Sequence, residues 1–199
     1  ILHRPIPANH NIFKIMTNEN CYTKWFNRHL SLLVVQYWYK GETEGVRKYI
    51  PGYSAAPLFV HEKGKAVSVY YNDQAAQKST ELVVNHLTRN PEIYERMVNL
   101  HLNSLQKALK MDDEISNLSS LINHGIEMWP GLTVIMILGD KPDLGQLAEK
   151  SLGIRKKTGD EVYALGGKIY DLIAKKFPQL EHLVDFLTIE EITTAKIPN

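Results

Sequence analysis

The side chains able to do chemistry are numerous in this sequence, but their spacing is poor. Eight histidines stand at positions 3, 10, 29, 61, 86, 101, 124 and 182, and none belongs to an H-E-x-x-H pair. His124 and Glu127 would share a helix face at i, i+3. A carboxylate-bridged metal pair needs Glu-x-x-His on two helices plus further glutamates, and here there is one reversed instance. That pair reads as a polar helix edge, and no metal ligand is assigned. Cys21 is the sole cysteine, so an internal disulfide is excluded and a reducing compartment, the cytoplasm, is the expected location. A nucleophilic cysteine requires a base and an orienting group, and no local signature supplies them. Gly139-Asp-Lys-Pro-Asp-Leu-Gly145 has glycines, but not the spacing of a dinucleotide fingerprint or a P-loop, and reads as a turn. Serine chemistry lacks its G-x-S-x-G elbow. Glu190 and Glu191 would point in different directions on a helix, which is unsuited to paired acid–base work. No catalytic residue is assigned.

Aromatic residues offer the other route to function. Trp25, Phe26, Tyr37, Trp38 and Tyr39 cluster in the first quarter of the chain. Leu30, Leu33, Val34, Tyr37 and Trp38 follow helical spacing, so Tyr37 and Trp38 are expected in a core. Trp25 and Tyr39 fall off that stripe and are expected at the surface, where they would meet a ligand or a partner.

The elements that must position these groups are mostly helical. Residues 1–24 open with ILHRPIPANHNI, whose two prolines and missing period read as an extended arm. The pattern turns helical from Trp25 to Ile50, where Gly41 and Gly45 would bend the helix and Pro51-Gly52 ends it. Two β-prone runs, 57–61 and 66–71, flank Glu62-Lys-Gly-Lys65 and predict a hairpin, with Gly64 supplying the positive φ of the turn. Asn72-Asp73 caps a helix through Leu87. Asn90-Pro91 opens another, running to Lys110 with Ile93, Met97, Leu100, Leu105 and Leu109 along it. Asp112-Asp113 begins the next, with Ile115, Leu118, Leu121 and Ile122 on one face. Residues 132–138 fit a buried strand or a buried helix opened by Pro130, and helix is the expectation from its neighbours. Pro142-Asp143 opens a long helix to Lys176, Phe177-Pro178 ends it, and a short helix follows near 179–186. Thr188 and Glu191 then have capping-box spacing, with Leu187 and Ile192 placed as a hydrophobic staple. The expected fold class is mainly α, a helical bundle-like domain with one small β-hairpin (α+β by strict count). Residues 25–187 form the helical domain and 188–199 a capped exit connector.

Composition agrees with a globular chain. Of 199 residues, 44% are hydrophobic and 23% charged, with a formal net charge of +1, which gives no electrostatic case for nucleic acid or an anionic membrane. No uninterrupted apolar run reaches the ~18 residues that span a bilayer. The chain begins with Ile rather than Met, which points to a processed or trimmed product and to a longer polypeptide.

The order of these features resembles the helical region of phosphoenolpyruvate synthase-like (PEP-utilising) proteins. An aromatic-rich helix, "LLVVQYWYKG", precedes a hairpin, "PLFVHEKGKAVSVYY". There follow "NPEIYERMV", the Trp-Pro element "EMWPGL", the Arg-led "IRKKTGDEVY", and the closing "FPQLEHLVDFLTIEEI". The resemblance covers about residues 25–192, and the closing FLT-x-EE-I is its nearest approach to a motif. It implies a non-catalytic helical module of a phosphotransferase, one that positions a swivelling phosphohistidine domain lying outside this chain. The partners would be other domains of a longer polypeptide. ATP and magnesium would belong to the parent enzyme, with no cofactor in this chain. The phosphohistidine motif has no match here: Gly166-Gly167 leads into Lys168-Ile-Tyr. Trp129 of the Trp-Pro element and Arg155 of the Arg-led helix join Trp25 and Tyr39 as expected ligand or partner contacts. The alternative is a stand-alone helical protein-binding module that uses the hairpin edge and the exposed aromatics.

Overall fold

The computed structural model describes residues 14–17, 20–28, 30–61 and 67–196. Within them the fold is mainly α, a helical bundle flanked by a small antiparallel sheet. The strands are β1 (Lys14–Thr17), β2 (Asn20–Arg28), β3 (Pro57–His61) and β4 (Val67–Asn72). The helices are α1 (Leu32–Lys40), α2 (Asp73–Arg89), α3 (Pro91–Lys110), α4 (Leu118–Gly139), α5 (Gln146–Lys176) and α6 (Ile189–Thr194).

The sheet order is β1-β2-β4-β3, antiparallel throughout. The expected hairpin is present as β3 and β4, while its turn, with Gly64, lies outside the described residues. Two further strands correct the expectation for the N-terminal segment. Residues 14–17 and 20–24 of the supposed arm pair in this sheet, and residues 25–28 belong to β2 rather than to a helix. The period-2 character of "CYTKWF" is weak, and pairing with the buried β4 decides its state. Residues 1–13 lie outside the described residues.

The bundle is built on α3, α4 and α5. α4 runs antiparallel to α3, which places Met128 beside His101 and Gly131 over Met97. α5 then returns parallel to α3 in a fixed register. Tyr94 meets Ser151, His101 meets Thr158 and Gln106 meets Glu161, partners 55 to 57 residues apart along the whole length. Lys168 Nζ closes the far end on the Met111 carbonyl and on Asp113, 2.9 Å away. α4 is apolar nearly all round, with thirteen buried residues, as expected of a central helix. The stretch Ile115–Gly139 is long and apolar enough to cross a membrane, and 67% of its apolar window is buried among the other helices.

Residues 132–138 are helical, as expected, but Pro130 does not open that helix. It lies inside α4, where it leaves the Ile126 carbonyl without its helical donor. The β-carbon position of Gly41 lies 2.8 Å from that oxygen, so a Cα hydrogen of Gly41 is aimed at it. The same crossing explains both early glycines. A β-carbon at Gly41 would sit 2.2 Å from Trp129 Cβ, and one at Gly45 2.5 Å from Pro130 Cγ. Here the first helix does more than bend: residues Gly41–Gly45 form a π-helical turn.

Local signals hold at most ends. Asn72 Oδ1 accepts from the Ala75 amide at 2.9 Å, and Pro91 stands at the start of α3. Asn90 differs from expectation: its side chain donates to the His86 carbonyl at 2.8 Å and closes α2 rather than opening α3. Asp112-Asp113 does not begin α4, which starts at Leu118 after a 3-10 turn, Ile115–Asn117. Residues Pro178–Phe186 form a 3-10 segment leading to α6. There Thr188 and Glu191 make both halves of a capping box, while Leu187 and Ile192 are buried.

Candidate functional site

The most unusual group in the molecule is a carboxyl in the π turn. In sequence, Gly41-Glu-Thr-Glu-Gly45 reads as a bend in the first helix, with nothing to mark either glutamate as buried. Because Gly41 and Gly45 press the turn against α4, Glu42 is driven inward and is only 3% exposed, whereas Glu44 faces water. Single π turns tend to sit where a helix must present one residue out of its ordinary sequence of faces.

Three neutral donors converge on the Glu42 carboxyl. Trp38 Nε1 donates to Oε2 at 2.5 Å from one turn earlier. The Tyr53 hydroxyl donates to Oε1 at 3.0 Å, and the Tyr71 hydroxyl reaches Oε2 at 2.8 Å and Oε1 at 3.0 Å. No cation lies among these partners, and Arg47, nearby, is committed to the Tyr53 carbonyl at 2.8 Å. Burial raises the Glu42 carboxyl above its ordinary range, and the hydrogen bonds from Trp38, Tyr71 and Tyr53 pull it partly back. Burial, and then the neighbouring Glu42 charge, also raise the Tyr53 and Tyr71 hydroxyls, which therefore remain protonated donors.

Aromatic rings extend this cluster toward the surface on two sides. The register of β2 against β4 skips between Lys24 and Phe26, leaving Trp25 as the bulged residue. Bulges re-aim a side chain. Here the Trp25 ring lies 4.6 Å from that of Tyr71 and is 51% exposed. On the other side Trp38 stacks on Trp129 at 4.7 Å and meets Phe59 edge-on at 5.2 Å.

Phe59 is also a wall of an open groove of about 400 Å³, formed by Val35, Gln36, Tyr39 and Lys40 of α1 and by Thr188, Ile189 and Glu190 at the start of α6. Gln36 ties the two sides together by accepting from the Ile189 amide at 2.7 Å. The lining combines apolar Val35, Phe59 and Ile189 with exposed Lys40 and Glu190. Glu42 does not line the groove; its link to it runs through Trp38, which donates to Glu42 and meets Phe59 of the groove wall.

The residues singled out from sequence separate in the structure. Tyr39 is 43% exposed and lines the groove, and Trp25 is exposed on the sheet. Trp129 lies instead in the core, 6% exposed, because Gly41 and Trp38 pack onto it. Its indole nitrogen has no hydrogen-bond partner among the described residues. Arg155 is on α5 and pairs with Asp140 at 2.9 Å, away from the Glu42 cluster. His124 and Glu127 do share a helix edge, 3.1 Å apart, and the Ser104 hydroxyl donates to the same carboxylate oxygen. Among the described residues no three histidine, cysteine or acidic side chains form a group that could hold a metal ion. Nothing local in the sequence marks Glu42, Tyr53, Tyr71 or Gln36 as site residues; the i, i+4 spacing of Trp38 and Glu42 is the one short-range signal for the cluster.

No family model, curated protein or solved structure matches this chain.

Proposed function

We propose that this chain is a non-catalytic helical module of a PEP-utilising-type phosphotransferase, and that its work is to root a swivelling phosphohistidine domain carried on the same polypeptide. The observation that supports this reading is the way α6 is held. A six-residue helix is too short to be stable alone. Yet this one has a complete capping box, a fully buried Ile192, the Gln36 contact at its first amide, and Lys176 Nζ donating to the Ile192 carbonyl at 2.7 Å. Such anchoring fixes the direction in which the chain leaves the bundle, which a hinge requires at its fixed end. The test is the native polypeptide in its source cells. The expected result is a species well above 22.7 kDa that takes phosphate from PEP or ATP onto a histidine outside residues 1–199. A native chain of about this mass, or a longer one with no phosphohistidine, would refute the proposal.

A second reading, a protein-binding module, is favoured by β3. It is an edge strand of the sheet, Leu58 is 42% exposed on it, and the groove with Tyr39 runs beside it. An extended peptide that pairs with β3 would gain backbone hydrogen bonds and place side chains beside Tyr39. Amide exchange protection confined to residues 58–61 on adding a binding partner would favour it. Unchanged exchange there would count against it.

A further inference from the structure

We propose that the outer face of α5 is a self-association surface that pairs two copies of this chain antiparallel. Gly153, Lys156, Asp160, Tyr163, Gly167 and Tyr170 are all exposed, and their spacing of 3, 4, 3, 4, 3 is that of a coiled-coil seam. Tyr163 and Tyr170 are 50% and 39% exposed, large ring surfaces for a solvated helix face. A β-carbon added at Gly153 or Gly167 would meet nothing within 4 Å. Among the described residues no contact explains these glycines, although each weakens the helix relative to alanine.

Turning a second copy end for end supplies the explanation. In one register Gly153 faces Tyr170 of the other copy, Lys156 faces Gly167, and Asp160 faces Tyr163. Each glycine receives a long side chain, and each aspartate meets a phenol hydroxyl. Each contact then occurs twice by symmetry, as an isologous pair requires. Charge selects the direction. Antiparallel packing brings exposed Glu149 near Lys175 of the second copy, and lets Lys156 reach Asp171. A parallel pair would oppose Lys156 to Lys156 and Asp160 to Asp160. Exposed ion pairs add little affinity, but repulsion between like charges discriminates strongly between orientations.

The experiment is sedimentation or light scattering of the protein over a range of concentrations, with circular dichroism to confirm that each variant is folded. The expected species is a dimer, twice 22.7 kDa for residues 1–199. Lys156→Glu weakens it at least tenfold, and Asp171→Lys added to the same chain restores it. Both positions are exposed, so neither change threatens the fold. A single species of 22.7 kDa up to about 1 mM would overturn the proposal. So would a dimer whose affinity is the same in Lys156→Glu, or a loss that Asp171→Lys fails to repair.

Discussion

Two glycines six residues apart on α4 should respond to the same substitution with opposite signs. Both lie in the 22-residue central helix, so replacing either by alanine gains about 1 kcal/mol of helix propensity. Their surroundings decide what is left of that gain. At Gly125 the new β-carbon would lie 3.6 to 3.8 Å from the Tyr37 ring, an ordinary contact. At Gly131 it would lie 2.2 Å from the Met97 carbonyl oxygen and 2.6 Å from His101 Cβ. Restoring an ordinary 3.4 Å separation means moving α4 about 1.2 Å off α3. The obstacle is backbone, so no rotamer change relieves it. Overpacking of this kind costs about 3 kcal/mol at the upper end of the usual range. After the propensity gain, Gly131→Ala is expected to lose about 2 kcal/mol, and Gly125→Ala to gain up to about 1 kcal/mol. For a chain of this size the melting temperature should fall by about 4–8 °C in the first and rise by about 2–4 °C in the second. Urea unfolding of the two variants beside the parent protein measures both. Gly131→Ala within 0.5 kcal/mol of the parent, on the scale of ordinary surface changes, would refute the close α3–α4 crossing.

Three further outcomes can be checked. His101 is fully buried, and its imidazole is pushed down from 6.5 to about 4 by desolvation, with the Met128 carbonyl opposing. The unfolded chain therefore binds the extra proton first as pH falls. His101 contributes stability that is complete above pH 6.5 and is lost as pH falls through about 4, on the order of 3 kcal/mol in total. That part of the slope should vanish in His101→Gln, measured by unfolding between those limits. Tyr71→Phe removes a donor to Glu42 and should cost about 1–3 kcal/mol while raising the carboxyl further, readable as a shift of its infrared titration. Thr188→Ala breaks the capping box for about 1 kcal/mol and should speed amide exchange at Glu191 without affecting α3 to α5.

What the sequence made legible is what short-range physics controls. The Thr188 capping box, the Asn72 cap, the stripe through Leu33, Tyr37 and Trp38, and the β3–β4 pair each need only neighbouring residues to be recognised. Glu42 was not legible, because its burial depends on Tyr53 and Tyr71, 11 and 29 residues away, and on a crossing with α4. Trp129 lies in the core rather than at a contact surface for the same kind of reason. Nothing in "EMWPGL" reveals that two glycines of another helix press on it. β2 is not legible because its state is decided by β4, about 50 residues later in the chain, with Tyr22 opposite Asn72, and β1 depends in turn on pairing with β2. The groove unites Tyr39 with Ile189, 150 residues apart, a proximity no local pattern reports.

The π turn also makes the length of one segment countable. Five residues, Gly41–Gly45, occupy a stretch that an α-helix would fill with one fewer. Five residues of π geometry and four of α geometry wind through nearly the same angle, so deleting one residue there would let the turn relax to α geometry while the helix on either side keeps its phase. Tyr37 and Trp38 would stay on Trp129, and Gln36 on the first amide of α6. What would go is the local displacement that turns Glu42 inward beneath Trp38, Tyr53 and Tyr71. Gly41-Glu-Thr-Glu-Gly45 thus behaves as an insertion of one residue whose effect falls on the buried acid and leaves both flanking faces where they were.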